Sequence, residues 1–196
     1  MSELEKARFV FRAAASALLD AAGDYSNSVV QAIDLLARAL TSGHRVLVFG
    51  NGGSAADAMH IAAELMGRFN HDRAALPVLG LSTNPAFLTA WSNDVGFDSV
   101  FARQIEALGQ PGDVAWGIST SGASANVVGA LRRARELGLG TVGLTGHGGG
   151  EMAGYCDVLI CAPALETPRV QEVHVATYHV ICAAIERRLL ERAEPA

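Results

Sequence analysis

His60 and Glu64 stand four residues apart in a stretch whose pattern predicts a helix over about 54–69. On a helix, that spacing puts an imidazole and a carboxylate on one face, one turn apart. Such a pair suits a divalent ion such as zinc, or a plain surface hydrogen bond. A second helical stretch, about 168–191, carries Gln171, Glu172, His174 and His179. Seven residues are about two turns, so periodicity pairs Glu172 with His179, while Gln171 lies roughly 80° around the helix from His179. Only a longer reach would bring Gln171 to the same ion.

Three loops offer anion chemistry. Gly50-Asn51-Gly52-Gly53-Ser54-Ala55 follows an apolar run and opens the helix that carries His60. Glycines let backbone N–H groups approach an anion, and a helix start favours negative charge. The loop also fits the dinucleotide pattern GxGxxA, but the next strand ends Leu81-Ser82-Thr83, without the acid a ribose needs. Ser119-Thr120-Ser121-Gly122-Ala123-Ser124 puts four hydroxyls and a glycine at another helix start. Hydroxyls and amide N–H groups can cradle a phosphate without lysine or arginine, whereas helix capping needs one serine. Thr145-Gly146-His147-Gly148-Gly149-Gly150 reads as a flexible turn, with His147 in solvent.

The elements that must position these loops alternate. Apolar runs at 45–49, 78–82, 114–118, 141–145 and 158–161 read as buried strands. Helical patterns lie at about 54–69, 97–109, 124–138, 150–155 and 168–191. Two more, at 5–22 and 27–42, come first, with a break around Gly23-Asp24. Alternating strand and helix predicts a parallel sheet covered on both faces, with ligands at the carboxyl ends of the strands.

Composition bounds the partners. The chain has 196 residues, 15 Lys plus Arg against 20 Asp plus Glu, and a net charge of −5. Nothing in that balance suggests a nucleic-acid surface. The uncharged run 74–93 contains Pro77, Asn84 and Pro85, which a membrane helix would not carry together. No signal peptide is visible, and three cysteines without a CxxC pair argue against a disulfide framework or cysteine zinc site. The expectation is a cytoplasmic protein. Half the residues are hydrophobic, which points to more apolar surface than one core needs, hence an oligomer.

GNGGSAADAMHIAAEL, STSGASANV, Asn93-Asp94, and TPRVQEVH followed by His179 together resemble the phosphoheptose isomerases of the sugar-isomerase (SIS) superfamily. The likeness runs from about residue 30 to 190, with the motifs in order. It implies a flavodoxin-like three-layer α/β sandwich with a five-stranded parallel sheet. One SIS domain would span 1–196, with 1–42 a helical extension used in oligomer packing. Asn51, Gly52, Gly53 and Ser54 would contact the substrate, Asn93 and Asp94 would hold sugar hydroxyls, and Ser119, Thr120, Ser121 and Ser124 the phosphate. His60, Glu64, Gln171 and His179 would bind one zinc ion per subunit, replacing Glu172 in the pairing that periodicity suggests. Glu64 and Gln171 would also touch the sugar.

The same resemblance implies a homotetramer with active sites between subunits. It implies interconversion of sedoheptulose 7-phosphate and D-glycero-D-manno-heptopyranose 7-phosphate, the first step of nucleotide-activated heptose synthesis. Glu64 and His179 would be the acid–base pair. Aldose–ketose isomerisation needs a base between C1 and C2 and an acid for the carbonyl oxygen. Two rivals share the fold: a non-catalytic SIS protein that binds the bacterial replication initiator, and an isomerase of another sugar phosphate. The former relatives lack the acid–base pair, which this chain has. Some isomerases carry an aspartate where Pro168 stands here. Thr167-Pro168 reads as a helix start, and Arg68 as a partner of Glu64 or a surface charge.

Overall fold

Ser2 opens the chain with a capping box: its hydroxyl accepts from Glu5 N (3.2 Å) and the Glu5 carboxylate accepts from Ser2 N (2.6 Å). In the computed structural model, which describes residues 1–23 and 25–193, this cap starts α1 (Glu3–Ala21). Asp24, half of the expected helix break, and residues 194–196 lie outside the described residues. α2 (Tyr25–Thr41) follows, burying Val29, Ile33, Leu36 and Leu40 along one stripe. Then come β1 (Val46–Gly50), α3 (Gly53–Met66), β2 (Val78–Gly80), α4 (Pro85–Asp94) and α5 (Val100–Leu108). β3 (Val114–Ser119), α6 (Ala125–Glu136), β4 (Gly140–Thr145), β5 (Val158–Cys161) and α7 (Thr167–Ala193) complete the order.

All five strands are parallel, in the order β2-β1-β3-β4-β5. This is the three-layer α/β sandwich expected. Residues alternate between the two faces of each strand. Val46 and Val48 of β1, with Trp116 and Ile118 of β3, pack with α2, α3 and α7. Leu47 and Phe49 turn the other way, onto α5 and α6. Trp116 is fully buried. α1 lies against α7, where Ala17 meets Val170 and Val173. The chain leaves β1 for β2 on one side and returns to β3 on the other, so the loops after β1 and β3 diverge at the switch point.

Two differences from the sequence reading matter. Residues 83–96 carried no expected element, yet Pro85–Asp94 is helical, begun by Asn84, whose side chain accepts from Phe87 N, with Pro85 in the first turn. Asn84 supplies the cap and Pro85 the preset φ of a first helical turn, which is enough to start a short helix in an otherwise unpatterned stretch. β2 spans three residues rather than five. Among the described residues, no helix is long and apolar enough to cross a membrane.

Candidate active site

The two diverging loops face each other across the switch point and are tied together. Asn51 Nδ2 donates to Asn126 Oδ1 (2.8 Å), and Asn126 Nδ2 donates to Asn51 Oδ1 (2.9 Å). Asn126 is buried in the first turn of α6, so this reciprocal amide pair fixes the β1 loop against the β3 loop. Gly52 is in the left-handed region, and α3 starts at Gly53 with Ser54 buried behind it.

The β3 loop carries the hydroxyls. Ser119 Oγ lies 2.8 Å from Ser124 Oγ and 3.4 Å from Ser121 Oγ, and Ala123 N donates to Ser121 Oγ (3.2 Å). Thr120 is half-buried in the same turn. Capping does not explain these residues. Ser124 is the N-cap of α6 but makes no side-chain cap bond; its hydroxyl turns to Ser119 instead. A helix start without a side-chain cap, ringed by hydroxyls, has the donors to cradle an anion.

The glycine-rich 145–150 segment supports that cradle rather than forming a loose turn. Gly146 N donates to Thr120 O (3.1 Å) and Met152 N to Gly122 O (3.0 Å). Gly122 has φ +65°, and a Cβ there would strike the Gly149 carbonyl. His147 is exposed, as expected.

The side that carries His60, Glu64 and His179 is built by α3 and α7. His60 Nε2 lies 2.9 Å from Glu64 Oε1, across one turn of α3. The His179 ring meets His60 edge-on with centroids 5.3 Å apart, and the Phe69 ring is tilted against it at 5.6 Å. Gln171 lies against the start of α3, so close that a Cβ on Gly53 would collide with its amide. Glu172, the partner periodicity favoured, pairs with Arg169 instead. Asn93 and Asp94 end α4, exposed, with Asn93 Nδ2 donating to Asp94 Oδ1 (2.8 Å). No hydrogen bond among the described residues ties them to the other candidates. Arg68 is an exposed surface residue without an ion pair to Glu64, among the described residues.

Asp57, Tyr178, Glu186 and Arg73 escaped sequence reasoning. Asp57 and Tyr178 stand behind His60: Tyr178 Oη lies 2.9 Å from His60 Nδ1 and donates to Asp57 Oδ1 at 3.4 Å. Burial raises the Asp57 carboxyl above its ordinary value, and burial together with the Asp57 charge raises the Tyr178 phenol. Asp57, three residues before His60, shares its helix face, a spacing signal that was available; Tyr178 counts as apolar in a periodicity reading. Glu186 receives N–H bonds from Phe69, Asn70 and His71 (3.0, 2.7 and 3.0 Å), with Arg73 Nε at 3.4 Å. Arg73 in turn donates to the Glu64 carbonyl at 2.9 Å. His174 is fully buried, its Nε2 donating to Thr145 O (3.1 Å), and burial lowers it to about 4.

Two imidazoles, a carboxylate and a carboxamide form a donor set suited to zinc. The 2.9 Å between His60 Nε2 and Glu64 Oε1 is near the roughly 3.3 Å that separates two donors on one tetrahedral ion with bonds of about 2.0 Å. Among the described residues, no three His, Cys, Asp or Glu side chains converge as a ready-made cage. The fit therefore rests on donor chemistry at the His60–Glu64 edge, with the His179 ring beside His60, while Gln171 sits at Gly53, seven residues earlier on α3.

Comparison with known proteins decides the family. The SIS domain family model matches residues 10–146. A phosphoheptose isomerase of Crocosphaera subtropica is 50% identical over 169 residues, 86% of each chain. That of Aquifex aeolicus is 46% identical over 97% of this chain and 100% of its own. The chain belongs to the phosphoheptose isomerase family. The solved phosphoheptose isomerase of Neisseria gonorrhoeae superposes with a TM-score of 0.90 at 40% identity, over 95% of this chain and all of its own. The phosphoheptose isomerase of Francisella tularensis gives a TM-score of 0.92 at 32% identity over the same shares. The likeness to the phosphoheptose isomerases thus includes α7, which the SIS domain match leaves out.

Proposed function

We propose that the chain is an aldose–ketose isomerase interconverting sedoheptulose 7-phosphate and D-glycero-D-manno-heptopyranose 7-phosphate. The observation that carries this reading within the site is Ser124, which leaves α6 without a side-chain cap and joins Ser119 in a hydroxyl cradle. The cradle, with Ser119, Thr120, Ser121 and Ser124, holds the phosphate. Asn51, Gly52, Gly53 and Ser54 line the sugar, and Asn93 and Asp94 take its hydroxyls. Glu64 removes the proton at one of C1 and C2 and returns it to the other; His179 moves the proton at the carbonyl and hydroxyl oxygens, so an enediol lies between ketose and aldose. His60, Glu64, Gln171 and His179 would hold zinc, which when bound would polarise the sugar oxygens and organise these side chains.

In this reading residues 1–196 form one SIS domain, and 1–42 serve assembly into a homotetramer with active sites between subunits. The apolar surface of α1 supports it, with Phe9, Phe11 and Leu19 each at least 65% exposed. The groove between α1, α2 and α7, lined by Leu18, Val29, Val30 and Val180, supports it too. The protein would act in the cytoplasm at the start of activated-heptose synthesis, feeding lipopolysaccharide or another heptose product.

Incubation with sedoheptulose 7-phosphate, with and without zinc, tests the reading. Formation of the aldose, lost on chelation and restored by zinc, is the expected result. Turnover of only a pentose or hexose phosphate would overturn the substrate, and full activity in zinc-free protein would remove the metal.

A further inference from the structure

α7 meets α3 in the same order along both helices. Gln171 lies at Gly53, the His179 ring at His60, and Glu186 just past the end of α3, on the N–H groups of residues 69–71. His179 and Glu186 are seven residues apart, about two turns, so they look out from one side of α7. Glu186 is fully buried, and a carboxylate so placed is tolerated only when hydrogen-bonded and paired. The three backbone N–H groups supply the bonds, and the Arg73 guanidinium supplies the opposite charge.

The remaining donors of Arg73 show what the pair holds. A helix ends in carbonyls that no later turn can serve. In α3, Gly67 N donates to Ala63 O (2.9 Å) and Leu76 N to Leu65 O (3.3 Å). The carbonyl between those two belongs to Glu64, and Arg73 Nη2 donates to it at 2.9 Å. Arg73 Nη1 donates to Gly67 O (3.2 Å) and Ala74 O (3.0 Å). The last turn of α3 carries no basic side chain of its own, so Arg73 also brings the cation that a helix C-terminus favours. The turn that presents Glu64 is thus closed by a returning segment, and α7 holds that segment through Glu186. The same segment sets the Phe69 ring against His179, 5.6 Å away.

We propose that Glu186 and Arg73 are positioning residues for the isomerisation, fixing the backbone of Glu64 and the ring of His179 relative to each other through the segment they hold. The catalytic purpose rests on the isomerase reading above; the coupling of α7 to the last turn of α3 does not.

The full chain, with zinc in excess, is compared with Glu186→Gln and Arg73→Lys. Glu186 Oε1 serves Phe69 N, and Oε2 serves Asn70 N and His71 N. An amide has one accepting oxygen, so one of these two sets is lost. Arg73→Lys keeps the charge but replaces the fork by a single ammonium. In both variants, kcat per folded molecule on sedoheptulose 7-phosphate should fall about 10-fold or more, with KM changed by less than about 3-fold. Amide hydrogen exchange should quicken at Gly67, residues 69–71 and Leu76 and stay unchanged in the sheet. Glu186→Gln combined with Arg73→Met removes both buried charges, which favours stability, but leaves the Glu64 carbonyl unheld, so its kcat should stay low. A kcat that returns with stability would make the pair a structural support only and overturn the proposal. Unchanged kcat per folded molecule in either single variant does the same, and Arg73→Lys, which keeps its charge, decides alone should Glu186→Gln not fold. An unaltered chain that turns over no sugar phosphate removes the isomerase reading and the catalytic purpose with it. Quickened exchange would then still uphold the coupling of α7 to α3, and unchanged exchange would overturn that as well.

Discussion

Glu64 carries the heaviest assignment of any single residue, and its neighbours limit what a substitution there can disturb. Its carbonyl is held by Arg73 and its side chain reaches only across one helical turn to His60. Glu64→Gln keeps shape and backbone, so the fold should persist while turnover drops by about 10²–10⁴-fold, the usual cost of losing a general base. Circular dichroism with the heptose assay checks both; wild-type kcat would remove Glu64 as the base. At this scale the sequence revealed residue types better than partners. His60 and Glu64 could be paired by spacing alone. Choosing Gln171 over Glu172 could not be made from an angle of roughly 80° around a helix. What separates them is Arg169 capturing Glu172, an i,i+3 pair within α7, and Gly53 leaving room for Gln171, a contact between helices.

Elements fix how far the hydroxyl cradle of the β3 loop stands from His60 and Glu64, and one amide pair ties the β1 loop to the helix behind that cradle. Asn126 belongs to the helix behind the cradle, Asn51 to the loop that starts α3. Asn126→Ala should leave the cradle's own hydroxyls in place but let the two loops drift. Small misplacements of reacting groups cost rate steeply. We expect kcat to fall about 10–100-fold with KM for the sugar phosphate changed less; a KM effect alone would mean the pair merely shapes binding. The five strands and most helices were legible because short apolar runs and period-3.6 patterns are local. The short α4 was not, since Asn84 and Pro85 mark both turns and helix starts. The 145–150 segment was misjudged for a related reason: glycine tracts look loose until close approach to another backbone explains them.

One buried imidazole couples the stability of the whole molecule to pH. His174 is neutral where it is buried, at about 4 against an ordinary 6.5. Between these values the unfolded chain binds the proton that the folded chain refuses, so stability rises with pH across this window. Acidification from pH 6.5 to 4 should cost up to about 3 kcal/mol through this group, with the penalty complete below pH 4. His174→Gln, which keeps a donor for Thr145 O, should flatten that part of a urea-melt pH profile. An unchanged slope would assign the acid sensitivity elsewhere. The assembly is equally testable. A monomeric mass by light scattering at micromolar concentration would reject the oligomer that the apolar face of α1 supports. Composition signalled that excess of apolar residues, but not which helix would display it.

The stretch from Gly67 to Pro77 has neither helix nor strand, yet Glu186 grips three of its backbone N–H groups and the Arg73 side chain is only 4% exposed. Proteases need a segment that can be drawn out into an extended strand. Trypsin should therefore cut the native chain after exposed Arg68 and spare the bond after Arg73. Glu186→Gln, which weakens the clamp from α7, should open that second bond, so that mass spectrometry of a brief digest becomes a gauge of how firmly the far end of α7 restrains the segment following α3.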